Sequence, residues 1–165
     1  CKARKDYINS INNALRKKQS LLVWKLLEVA FKINNLELPD FCLIDGKWVV
    51  KDQKFFCFLT HSNNIVAVAV SDQPIGVDVE LLSDKVVRVC KKKQLAELDE
   101  GVVNLEQVQI CARVWCQFES QYKRAESGIF SNFSLQDKKG NKYELVSCSD
   151  KKIESLNLVI LDKYI

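Results

Sequence analysis

The stretch "THSNNIVAVAVSDQPIGVDVELL", residues 60–82, decides how this chain is read. Residues 64–70 alternate as a strand, "DQPIG" (72–76) makes a tight turn, and "VDVEL" (77–81) resumes the strand pattern. On a strand, residues i and i+2 project from one face, so Asp78 and Glu80 point the same way while Val77 and Val79 pack behind them. Two like charges that close repel unless a cation sits between them. An oxygen-only ligand set favours Mg²⁺, which leaves room for water and substrate phosphates. The same spacing also fits a half-exposed strand with a polar face. At the head of the stretch stand Thr60, His61 and Ser62, and His61 is the chain's one histidine. Three hydrogen-bonding side chains at a strand end suit a phosphate-binding corner, although a lone histidine is more often structural.

Upstream, Ile11, Leu15, Leu22, Leu26 and Ala30 recur at steps of four or seven, which predicts one amphipathic helix over 8–33. "NNLELPDF" (34–41) ends it. Short strands are expected at 41–45, 47–51, 54–62 and 64–70, with a turn at Asp45-Gly46. Downstream, helical character returns from about Asp84. A short helix is expected at "KKKQLAEL" (91–98), then a break at 99–101 and a longer helix at 104–127 closed by Gly128. Strands are expected at 130–137, 142–150 and 156–164, with a turn at Lys139-Gly140-Asn141. The order helix, strands, helix, strands predicts an α+β protein of two similar halves, residues 1–75 and 76–165.

The longer helix carries Glu119 and Lys123 at i, i+4 on one face, a turn along from Trp115. They read either as a surface ion pair or as an acid joining a metal site with a lysine placed to meet a phosphate.

The chain has 165 residues, 47% of them hydrophobic, enough to bury one ordinary core or two small ones. Its longest apolar run, "SLLVWKLLEVAF" (20–31), is interrupted by Lys25 and Glu28, so no membrane span is expected. Seven cysteines, an odd number without a CxxC pair, suit a reduced cytoplasmic protein, and a single histidine argues against zinc. No methionine occurs, so local spacings carry more weight here than long-range ones. The net charge of +4 is uneven: residues 1–33 hold eight basic residues against two acidic, and the remainder 17 against 19. A basic N-terminal element suits an anionic ligand such as a phosphate, or is simply a solvated helix face. Few aromatics interleave with those basic residues, which disfavours a nucleic-acid binder.

Taken in order, "LTHS" (59–62), "GVDVE" (76–80) and "WCQFESQYK" (115–123) resemble the 4′-phosphopantetheinyl transferase superfamily. That family carries an (F)NxSHS strand end, a G(V/I)D(V/I)E strand and a WxxKE(S/A)xxK helix. "GVDVE" matches throughout; Thr60 replaces a serine, Phe58 stands where asparagine is usual, and Phe118 replaces the helix motif's lysine. "DGKW" (45–48) is similar to the family's Gly-Lys-Pro turn, with Trp48 in place of proline. Asp78 lies near mid-chain, as in the surfactin-type members, whose two similar halves form a monomeric pseudo-dimer with the active site in the cleft between them.

The resemblance implies coenzyme A as substrate, with Mg²⁺ held by Asp78, Glu80 and Glu119. It assigns phosphate or nucleotide contacts to His61, Ser62, Lys123, Lys47, Ser20 and Arg16, with Ser20 near the 3′-phosphate. Glu119, or a water it orients, would be the base, and the acceptor a serine of an acyl or peptidyl carrier protein. Phe118 in place of a cation leaves open a diverged protein that binds coenzyme A or a carrier without catalysis.

Overall fold

The computed structural model describes residues 2–44, 47–52, 54–97 and 103–157. The chain is a mixed α+β protein with small antiparallel sheets. Its elements are α1 (Lys2–Ser10), α2 (Ala14–Ile33), β1 (Phe41–Ile44), β2 (Lys47–Val50), β3 (Phe56–Ser62), β4 (Ile65–Ser71), β5 (Gly76–Leu81), α3 (Asp84–Lys93), α4 (Leu105–Arg124), β6 (Ile129–Gln136) and β7 (Lys142–Ser149).

The predicted helix over 8–33 is two helices. Asn12 and Asn13 interrupt it, and the Asn13 side chain accepts the Arg16 backbone N–H at 2.9 Å, so α2 starts afresh with its own cap. Short amide side chains compete for backbone donors in this way, which an apolar periodicity does not register. The helix expected at 91–98 lies earlier, at 84–93. Val86, Val87 and Cys90 supply its buried face, and Gln94 ends it in the left-handed conformation (φ 53°). The longer helix is capped at the start by a reciprocal Asn104–Gln107 pair. It closes at Ala125 (φ 66°), three residues before the expected Gly128. Gly128 is needed for space instead: a Cβ there would run into the Arg124 guanidinium and the Ser149 carbonyl. Leu156 and Asn157 lie in no strand. The rest of the strand expected at 156–164, the Asp45-Gly46 turn and the break at 99–101 fall outside the described residues.

Strand alternation sorts the side chains into layers. In the β3–β4 hairpin, Cys57, Leu59, Val66, Val68 and Val70 pack with Val23, Trp24, Leu27 and Phe31 of α2. Phe58, Ile65, Ala67 and Ala69, on the opposite face, pack with Val77, Val79, Tyr143 and Leu145. Those belong to a three-stranded sheet of order β5-β7-β6, all antiparallel. That sheet turns its other face to α4, and α3 covers α4 through Val86, Val87, Cys90, Val108, Cys111 and Ala112. Burying each large apolar side chain of these layers contributes about 1.5–3 kcal/mol.

The arrangement gives β5 a special place. It is an edge strand of its sheet, lies against β3 and sits under α4. Gly76 opens β5 at the closest approach, because a Cβ there would fall on the Ser120 carbonyl of α4. Among the described residues no helix is long and apolar enough to cross a membrane.

Candidate functional site

The two carboxylates of β5 meet the strand end of β3 two by two. Thr60 Oγ1 donates to Asp78 Oδ1 at 2.8 Å, and Ser62 Oγ donates to Glu80 Oε1 at 2.9 Å. The match follows from period two on both strands: Thr60 and Ser62 share one face of β3, and Asp78 and Glu80 one face of β5. Ser62 Oγ also accepts the Leu81 backbone N–H at 3.0 Å, which ties β3 to the backbone of β5.

From the other side, α4 brings Lys123. Its Nζ donates to Asp78 Oδ1 at 2.6 Å and to the Val77 carbonyl at 3.1 Å. The Asp78 side chain is only 9% exposed and that of Lys123 22%, so this is a short, charge-assisted contact in a largely desolvated place. Three elements far apart in sequence, β3, β5 and α4, thus converge on Asp78.

Electrostatics separates the two acids. Burial raises the pKa of Glu80, with the neighbouring Asp78 charge adding to the rise. Its bonds from Ser62 and the Leu81 N–H, and the Lys85 charge, oppose it. Asp78 takes Lys123; Glu80 has neutral hydrogen-bond donors, the like charge of Asp78 beside it and the more weakly felt charge of Lys85. A further positive charge at this pair would relieve both effects.

His61 belongs to the exposed residues, yet partial burial of its ring lowers its pKa below the ordinary histidine value. The nearby cations Arg16 and Lys123 lower it further, against a smaller opposing effect of Asp78. The structure therefore gathers Arg16 of α2, His61 of β3 and Lys123 of α4 into one electrostatic neighbourhood. Ser20 is buried on α2 beside Gln19, whose Nε2 donates to the Asn63 carbonyl at 2.8 Å, one residue past Ser62. Lys47 is the first residue of β2, opposite Ile44, and its side chain lies outside the described residues.

Glu119 is half-buried on α4, one turn before Lys123, and its carboxylate makes no hydrogen bond or ion pair with a described residue. Among the described residues no group of three or more His, Cys, Asp or Glu side chains is placed to hold a metal ion. The donors that Mg²⁺ would use are all oxygens, and Asp78 and Glu80 present two of them from one face of β5. In this structure the Lys123 ammonium supplies positive charge at Asp78.

Phe118, where the resemblance has a lysine, is 41% exposed and stacks on Trp115 with ring centroids 5.8 Å apart. It places an aromatic face where a cation would have stood.

One buried acid is not singled out by the sequence patterns. Glu144 of β7 is 1% exposed and sits in register with Glu80. Its Oε1 accepts Gln109 Nε2 and Ser134 Oγ, both at 2.7 Å, and its Oε2 accepts Arg113 Nε at 3.4 Å. These bonds hold α4 on the sheet ahead of Glu119 and Lys123. The one signal for it is a glutamate set between Tyr143 and Leu145 in the strand pattern of "KYELVSCS". No family model matches the chain, and no curated protein matches it in sequence.

Proposed function

We propose that the protein transfers the 4′-phosphopantetheine group of coenzyme A to a serine of an acyl or peptidyl carrier protein. The observation that carries this reading is the convergence of the three motifs: Thr60 and Ser62 bonded to Asp78 and Glu80, and Lys123 bonded to Asp78. Thr60 and Lys123 share Asp78, and Ser62 takes Glu80 next to it, so side chains of β3, β5 and α4 meet at adjacent acids. In this reading residues 1–75 and 76–165 are the two halves of a monomeric pseudo-dimer. The anionic substrate lies along the Arg16, His61 and Lys123 neighbourhood.

Asp78, Glu80 and Glu119 would hold Mg²⁺, which when bound offsets the negative charge of the pyrophosphate. The chain's own residues supply the rest. Lys123, one turn from Glu119, exchanges Asp78 for a substrate phosphate oxygen, as phosphoryl transfer requires positive charge near those oxygens. Arg16, His61 and Ser62 orient the phosphates; Lys47 and Ser20 approach the nucleotide. Glu119, its carboxylate without a partner among the described residues, accepts the proton of the attacking serine. That serine oxygen bonds to the β-phosphorus as the bond from that phosphorus to the bridging oxygen breaks, and adenosine 3′,5′-bisphosphate leaves.

A second reading, a non-catalytic protein that binds coenzyme A or a carrier, is favoured by two observations. The Lys123 ammonium already occupies Asp78, and Phe118 adds an aromatic stack in place of a cation. Intact-mass spectrometry of an apo carrier protein incubated with this protein, coenzyme A and Mg²⁺ separates the two. Transfer adds about 340 Da, the mass fixed by the covalent chemistry of the phosphopantetheine ester. That gain disappears with EDTA and with Asp78→Ala. Coenzyme A binding without a mass gain on any carrier would leave the binder.

A further inference from the structure

The turn that follows His61 and Ser62 is pinned from three sides. Asn63 adopts the left-handed conformation, φ 48°, and its carbonyl accepts Gln19 Nε2 of α2 at 2.8 Å. Its side-chain Nδ2 donates to the Tyr143 hydroxyl of β7 at 3.4 Å. The adjacent Asn64 Nδ2 donates to Asp137 Oδ2 at 3.1 Å, in the turn between β6 and β7. The Tyr143 hydroxyl closes the circuit by donating to the same Asp137 Oδ2 at 2.9 Å. Asp137 is itself fixed by the Lys139 and Asn141 backbone N–H groups and by Asn141 Nδ2.

Tyr143 is well placed to act as the pin. Its ring is 0% exposed in the shared apolar layer, and it stands in register with Leu81, the residue whose N–H Ser62 accepts. The hydroxyl is thus the one polar atom of a rigid, buried ring, aimed at the turn that carries His61. Asparagine tolerates the left-handed region better than most residues, and the contacts around Asn63 add to that preference and fix where the turn sits.

We infer that Tyr143, backed by Asp137, is a positioning residue for the corner formed by Thr60, His61 and Ser62. It clamps the Asn63–Asn64 turn to β7, so that the phosphate-facing groups of β3 keep their register against Asp78 and Glu80. The kinetic consequence of this clamp rests on the transferase reading; the structural consequence does not.

Tyr143→Phe deletes one oxygen and leaves the ring in place, and two measurements follow. As the chain has one histidine, its imidazole C2–H gives a single proton NMR signal, read at fixed pH well below the melting temperature. The clamp predicts that this signal moves or broadens in Tyr143→Phe, and likewise in Asn64→Ala, which breaks the circuit from the other end. In the transfer assay, KM for coenzyme A rises at least about fivefold with kcat within about twofold, as expected when a lost buried hydrogen bond loosens binding groups without touching the reacting atoms. An unchanged His61 signal in both variants overturns the inference, whatever the enzyme assay shows. Should the wild-type protein lack transferase activity, that result counts against the transferase reading alone, and the NMR signal still decides the clamp.

Discussion

At the scale of single residues, two glycines do unlike work that the sequence does not distinguish. Gly128 reads as a helix terminator, but Ala125 takes the left-handed position and Gly128 leaves room for Arg124. That arginine, 2% exposed at its side chain, donates to the Pro74 and Ser127 carbonyls and to Asp150, joining the 72–75 turn to the ends of α4 and β7. Gly76 begins the motif strand and permits α4 to lie directly on it. A methyl there meets backbone, which cannot rotate aside, so Gly76→Ala forces the helix off the sheet. The expected cost is about 3 kcal/mol or more, the upper range for overpacking. Urea unfolding measures it, and a loss below about 1 kcal/mol would mean the helix–strand contact relaxes freely.

At the scale of elements, alternation and helical periodicity make most strands and the two long helices legible in the sequence, because burial on one face is what both patterns encode. The partial failures share a cause. The break at Asn12-Asn13, the end of α3 at Gln94 and the closure at Ala125 depend on local hydrogen bonds and on packing by distant segments, not on periodicity. The candidate site divides the same way. Asp78, Glu80, His61, Ser62 and Lys123 stand out as spacings, whereas Glu144 and Tyr143 gain meaning only once β7 lies in the middle of its sheet. The β6–β7 turn offers a pH test of one such long-range feature. Hydrogen bonds from Asn141, Asn64 and Tyr143 hold the Asp137 pKa well below the usual carboxylate range. A lowered folded-state pKa contributes stability above the unfolded value of about 3.9 and loses it as pH falls toward the folded one. The melting temperature of Asp137→Ala is therefore expected to trail the wild type by a constant margin from about pH 7 to 5. The margin narrows below about pH 4 as the unfolded carboxylate protonates, and one that widens on acidification would contradict the assignment.

At the scale of the molecule, the apolar interior of the described residues includes three clusters. One draws on residues 8–70, one on 82–115, and the third joins the β3–β4 hairpin to β5, β6 and β7. The motif residues lie beside that third cluster, where chain from both sides of the 72–75 turn comes together. Lys123 has a consequence there for the charge balance of the fold. Its ammonium already stands beside Asp78, so a buried acid of the site has its counter-ion supplied from within the chain. Folding then needs no dissolved cation, and EDTA is expected to leave the melting temperature of the isolated protein unchanged, which calorimetry checks. A fall on chelation would show that Lys123 does not suffice. A fold completed this way carries its charge balance inside its own sequence, the lysine of one helix answering the acid of a distant strand.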